Sequence, residues 1–138
     1  MEDKNKDIRH YTDFVEQVTS KESKDLSLFI ERLTQLANNS SVNVPLLITG
    51  AMGLGSESGE FEEIVKKILF QGKPLDDGNI YHMKRELGDI MFYWMDSCVA
   101  LGLDPYDVIA ENRQKLEARY PGGVFDVARS EVRKANDI

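Results

Sequence analysis

The chain has 138 residues and a net charge of −7, from 17 basic and 24 acidic side chains. A chain of this length usually forms one core, so we expect a single domain over residues 1–138. The acidic balance argues against a protein that tracks a nucleic-acid polymer by charge, and the single cysteine, Cys98, excludes an intrachain disulfide and a cysteine-based zinc site.

The first seven residues, Met1–Asp7, are too charged for the apolar core of a signal peptide. No stretch of the chain approaches the roughly 18 apolar residues that a membrane span requires. We therefore expect a cytoplasmic protein without a membrane partner.

Apolar residues recur at three- and four-residue spacing along most of the chain, which predicts amphipathic helices and no sheet. The predicted helices run from about Ile8 to Val18, from Ser23 or Asp25 to Ala37, from Asn43 to Phe70, from the segment 76–79 to Leu101, and from Pro105 to Arg119. The first two occupy residues 1–40, and the segment 126–138 is a polar tail that is unassigned or weakly helical. The fold class predicted is all-α, an antiparallel helical bundle of about five helices.

The third and fourth helices carry apolar stripes that we expect to be buried. On the third helix the stripe comprises Phe61, Ile64, Val65, Ile68 and Leu69; on the fourth it comprises Met83, Leu87, Ile90, Met91, Trp94, Met95 and Cys98.

Two pairs of carboxylates border these stripes, Glu57 with Glu60 and Glu86 with Asp89. A three-residue spacing leaves the members of each pair about 60° apart on one helix face. If the two helices pack antiparallel, the pairs face each other, and their mutual repulsion requires a cation. Oxygen donors favour Mg²⁺, with Mn²⁺ as a substitute.

Two alternatives to this metal site stay open. His82 lies four residues before Glu86, a spacing that keeps an iron or zinc site in play. The acids can also be solvated helix faces, because a lone Glu-x-x-Glu occurs in many helices by chance.

Each acidic block contains a glycine, Gly59 or Gly88, and we expect these glycines to let another helix approach closely.

The sequence resembles the MazG-like all-α nucleoside triphosphate pyrophosphohydrolases, whose signature is Glu-x-x-Glu, a spacer, then Glu-x-x-Asp. Glu57, Glu60, Glu86 and Asp89 match every letter, and the segment 112–121 matches a further helix end of that family. The resemblance covers about residues 44–125. It implies that the four acids are the catalytic Mg²⁺ ligands, that a (d)NTP is cleaved to the monophosphate and pyrophosphate, and that the chain forms a homodimer or homotetramer.

Substrate contacts are expected from residues near the acids. Asn112, Lys115 and Arg119 share one face of the fifth helix, so the two cations either clamp phosphate oxygens or form a solvated face; the resemblance favours the clamp. Tyr93 follows Asp89 by one turn and is a candidate for stacking on a base or bonding a phosphate.

Three further charged residues follow the first acid pair. Lys67 is a weaker phosphate candidate, as is Lys66, and both are ordinary surface lysines otherwise. Glu63 is a spare candidate for the general base.

The function predicted is a Mg²⁺-dependent nucleotide pyrophosphohydrolase that controls or cleans the nucleotide pool. One alternative keeps this fold with a narrower substrate, such as dUTP, dCTP, phosphoribosyl-ATP or an alarmone. The other is a non-catalytic helical module that binds a partner protein through its apolar faces.

Overall fold

The computed structural model describes residues 4–132, and 78% of these residues are helical with no strand among them. The all-α prediction is confirmed. The helices are α1 (Lys4–Val18), α2 (Leu26–Asn39), α3 (Val44–Phe70), α4 (Asp77–Leu101), α5 (Pro105–Arg119) and α6 (Val127–Glu131). The short α6 lies in the predicted polar tail; the remainder of that tail, residues 133–138, lies outside the described part.

Capping residues set most of these boundaries. The carboxylates of Asp25, Asp76 and Asp104 accept hydrogen bonds from backbone N–H groups in the first turns of α2, α4 and α5. Pro105 opens α5, where the missing N–H is harmless. Gly102 ends α4 in the left-handed region, with φ of 69°, so that its N–H bonds to the carbonyl oxygens of Cys98 and Val99.

The chain divides into two compact units, residues 1–44 and 45–138. In the first unit, the ammonium group of Lys24 donates a hydrogen bond of 2.5 Å to the carbonyl oxygen of Glu16, which ties the loop before α2 to α1. Its apolar side chains are mostly exposed, and the rings of Tyr11 and Phe14 stack with centroids 6.4 Å apart. The single-domain organisation stays a prediction.

The second unit contains α3 to α6. The turn between α3 and α4 is fixed by Asn79, which is buried and whose side-chain amide donates to the carbonyl oxygen of Pro74 at 2.7 Å. This turn reverses the chain, so α3 and α4 run antiparallel as predicted. None of the described helices is long and apolar enough to cross a membrane.

Burial differs from the sequence expectation. Among the described apolar residues only Cys98 and Ala100 are fully buried, whereas Leu69, Leu87, Met91 and Met95, all predicted to be buried, are exposed. The rest of the two predicted stripes is half-buried. The physical reason is that α4 uses one side against α3, and no other described segment of the second unit covers its opposite side.

Candidate metal centre

The seam between α3 and α4 is closest at two glycines. A Cβ atom built at Gly50 would lie 2.5 Å from the hydroxyl oxygen of Ser97 and 3.2 Å from the carbonyl oxygen of Tyr93. A Cβ atom built at Gly53 would overlap the ring of Tyr93. Because the helices are antiparallel, residues later in α3 contact residues earlier in α4. One turn beyond Gly53 on α3 lies Glu57, and the corresponding turn of α4 carries Glu86 and Asp89.

Three carboxylates meet at that next turn. Glu57, Glu60 and Glu86 each offer an oxygen, and these oxygens lie within 4.8 Å of one another. Asp89 is not part of this tight group, but its charge acts on Glu57. The structure therefore brings three of the four predicted acids into one tight group, with the fourth near enough to act on Glu57 through its charge.

The electrostatics of the cluster are unfavourable for an empty site. The pKa of Glu57 is raised above its ordinary value of 4.5, first because the carboxyl is partly desolvated and then because of the negative charges of Glu60, Asp89 and Glu86. A hydrogen bond with Glu86 raises it further. No basic side chain is among the causes of this shift, so the surroundings of Glu57 disfavour its negative charge.

A pH-dependent stability follows from this shift. Because the folded pKa of Glu57 exceeds the unfolded value, its contribution to stability is fully present below about 4.5 and is lost as the pH rises through the folded pKa. We therefore expect Glu57→Gln to raise the melting temperature of the metal-free protein at pH near 7, and to raise it less at pH near 4.

The measurement is calorimetry with a chelator present. Glu62→Gln, which removes an exposed carboxylate from the same helix, is the matched control. A gain in melting temperature that is the same at both pH values would contradict the assignment of the repulsion to Glu57.

The donor set fits a hard divalent cation. Mg²⁺ binds oxygen ligands at about 2.1 Å in octahedral geometry, so oxygens on one ion lie roughly 3–4 Å apart and usually share it with water. Three carboxylates within 4.8 Å of one another reach this geometry with small side-chain movements. Such an ion would also remove the repulsion that raises the pKa of Glu57.

The iron or zinc alternative loses its basis in this geometry. His82 is exposed and is not a member of the cluster; its ring contacts that of Tyr81, with centroids 6.3 Å apart. The described residues thus offer oxygen donors alone at this seam.

Glu63 and the two lysines behind it form a separate group on α3. Lys66 and Lys67 both pair with the carboxylate of Glu63, the second at 3.2 Å. Hydrogen bonds from Lys66 and then Lys67 lower the pKa of Glu63. A carboxylate stabilised as the anion is a weak general base, and Lys67 is engaged with Glu63 rather than aimed at open solvent.

The roles of the glycines differ from the sequence expectation. No atom of another described segment lies within 4 Å of a Cβ built at Gly59 or Gly88, so the glycines inside the acidic blocks do not permit a close approach within the chain. Gly50 and Gly53 have that role, and sequence reasoning missed them. Gly50 lies three residues before Gly53, and Gly53 lies four residues before Glu57, so both share the helix face of the first acid pair; this spacing is the signal that identifies them.

Tyr93 lies at this close approach. Its ring packs on Gly53 and contacts the ring of Phe92 edge-on, with centroids 5.2 Å apart. It is half-buried, so its ring is an element of the helix interface. Stacking of Tyr93 on a base stays a prediction.

The predicted phosphate contacts lie on α5. Lys115 is exposed and Arg119 is half-buried, while Asn112 lines a groove of about 570 Å³ formed by α5 and the loop after it. Sequence reasoning missed this groove, whose floor includes the neighbouring rings of Tyr120 and Phe125, 5.7 Å apart. Contacts of α5 with a nucleotide stay predictions.

Comparison with known protein families gives a match over the part of the chain that forms the α3–α4 seam. The family model described as "MazG nucleotide pyrophosphohydrolase domain" matches residues 49–124. The match spans the acidic blocks, the close approach at Gly50 and Gly53, and the whole of α5. No curated protein and no solved structure gave a significant match.

Proposed function

The chain belongs to the MazG nucleotide pyrophosphohydrolase family, and on that premise we propose that it cleaves a ribo- or deoxynucleoside triphosphate, or a related nucleotide, to the monophosphate and pyrophosphate with Mg²⁺. The observation that carries the proposal is the group of closely spaced carboxylates at the α3–α4 seam. The role that suits this reaction is control of the nucleotide pool in the cytoplasm.

The acids supply the metal site in this proposal. Glu57, Glu60, Glu86 and Asp89 would hold Mg²⁺, with Mn²⁺ as a substitute. When bound, the ion neutralises charge on the triphosphate oxygens and makes a water molecule more acidic. The carboxylates lie on two neighbouring helices, so the fold brings them close together before the substrate arrives.

The remaining residues bind the nucleotide. Lys115 and Arg119 would contact phosphate oxygens from α5, and Asn112 would add a side-chain amide at the edge of the groove. Lys67 and Tyr93 are secondary candidates, because the first is paired with Glu63 and the second packs on Gly53. Glu63 is poorly suited to accept a proton from water, because its pKa is lowered.

We also propose that the chain forms a homodimer or homotetramer through α4. Leu87, Met91 and Met95 follow each other at four-residue spacing, and each is at least 40% exposed. This stripe lies on the side of α4 opposite to Tyr93, and contiguous exposed apolar surface of this kind marks an interaction face. A second copy of the chain fits, because the same stripe is present on both partners of a symmetric pair.

Light scattering tests the assembly. We expect a dimer or tetramer at micromolar concentration, and Met91→Glu should shift the mass toward the monomer because a charge would then be buried in the interface. Arg85→Glu, at an exposed charged residue of the same helix about 120° around the axis from Met91, is the control. A monomeric wild type would refute this part of the proposal.

The reaction is tested with a panel of NTPs, dNTPs and alarmone nucleotides in the presence of Mg²⁺. Release of pyrophosphate that is absent with Glu60→Gln would establish the activity and rank the narrower substrates against general ones. Absence of release from every nucleotide would favour a helical module that binds a partner protein.

A further inference from the structure

The close approach of α4 to α3 assigns a function to residues that bear no charge. We infer that Gly50 and Gly53 are positioning residues of the metal centre: their missing side chains let Tyr93 and Ser97 approach α3, and this approach sets the separation of the carboxylates. The inference rests on the proposed function, because it concerns the Mg²⁺ site of that reaction.

The first step is the absence of space at both glycines. At Gly53 even a methyl group would occupy the volume of three ring carbons of Tyr93. At Gly50 it would meet the hydroxyl oxygen of Ser97 at 2.5 Å and two backbone atoms of α4 at 3.2 Å. Backbone atoms cannot turn aside, so a side chain at Gly50 moves the helices and not only a rotamer.

The second step is the register of the seam. Gly50, Gly53, Glu57 and Glu60 are spaced by three, four and three residues and therefore share one face of α3. On α4, Ser97, Tyr93 and Glu86 share one face in the reverse order. The distance along α3 from Gly53 to Glu57 is about 6 Å, one turn, so a change in the helix separation at Tyr93 also changes the separation of the neighbouring carboxylates.

The third step is a comparison with another glycine of α3. A glycine inside a helix costs about 1 kcal/mol relative to alanine, so replacement by alanine should stabilise the helix wherever there is room for a methyl group. Gly55 has that room, because no atom of another described segment lies within 4 Å of a built Cβ. Gly55 is therefore a matched control for Gly53, where there is no room.

The experiment measures Mg²⁺ affinity by calorimetric titration of the nucleotide-free protein, with circular dichroism to confirm the fold. We expect Gly53→Ala to weaken Mg²⁺ binding at least about tenfold, and Gly55→Ala to leave it unchanged. Gly53→Ala combined with Tyr93→Ala removes the ring that the methyl group meets, and should recover much of the lost affinity. A role in stability alone would lower the melting temperature and leave the Mg²⁺ affinity of the folded protein unchanged.

Gly50→Ala provides a second route if Gly53→Ala does not fold. Its methyl group meets the hydroxyl oxygen of Ser97 at 2.5 Å and backbone atoms of α4 at 3.2 Å, so the helices must separate and we expect a measurable loss of affinity. Wild-type affinity in every folded glycine variant would overturn the inference, as would failure of the double variant to recover. Absence of Mg²⁺ binding to the wild type would instead refute the proposed function.

Discussion

Glu60→Gln and Glu86→Gln are each expected to lower the rate of pyrophosphate release at least about 100-fold. Substitution of a residue that only hydrogen-bonds to a metal ligand lowers activity or metal affinity by roughly 10–100-fold. Substitution of a ligand itself should lower the activity further. Glutamine keeps the size of the side chain and removes its charge. Because both acids belong to a cluster within 4.8 Å, the substitution relieves repulsion, and the variants should fold at least as stably as the wild type without metal.

The measurement is the turnover number at saturating Mg²⁺ and nucleotide, with the melting temperature recorded beside it. Glu62→Gln removes a carboxylate of the same helix that faces solvent outside the cluster, and should retain full activity. Activity close to that of the wild type in Glu60→Gln or Glu86→Gln would show that the cluster is not the catalytic metal site.

Lys115→Met is expected to lower kcat/KM about 30-fold. A hydrogen bond to a charged phosphate contributes about 2 kcal/mol, which corresponds to this factor. Methionine preserves the apolar stem of the lysine and its helix propensity, so the effect isolates the ammonium group. In the proposed function Lys115 would contact both the bound substrate and the charge that develops in the transition state, so both KM and kcat should change.

The control for this prediction lies on the same helix. Gln114 is exposed and does not line the groove, so Gln114→Met should change kcat/KM little. Equal, small effects of both substitutions would indicate that Lys115 belongs to a solvated face, the alternative that its sequence pattern also allows.

Helix positions were predictable because the signals that set them are local. Asp76, Asp104, Pro105 and Gly102 act within one turn of the helix end that they define, and the structure confirms each of them. The position of the acidic blocks could also be predicted from the sequence. A three-residue spacing determines which side chains share a helix face, and the short turn after α3 makes the two helices antiparallel.

Burial was not predictable to the same degree. Periodicity shows that Leu87, Met91 and Met95 form an apolar face, but it does not show what covers that face. Within the described chain the seam with α3 takes the other side of α4, so these residues stay exposed. A pattern reports amphipathicity, and only the tertiary arrangement or a second copy decides which side is covered.

The roles of individual glycines were also not predictable from the sequence. Gly53 and Gly59 look alike in the sequence, yet one lies under the ring of Tyr93 and the other is open within the described chain. The difference depends on the axial offset between two helices, which arises from packing of specific side chains. This offset places Glu86 opposite Glu57 and Glu60.

The most direct test of the metal centre is the melting temperature of the wild type with and without Mg²⁺, beside Glu57→Gln and Asp89→Asn. A ligand that binds only the folded state raises the melting temperature by mass action. We predict a Mg²⁺-dependent rise for the wild type that is lost in both variants. An absent rise in the wild type, or an equal rise in all three proteins, would contradict the assignment of these acids as Mg²⁺ ligands.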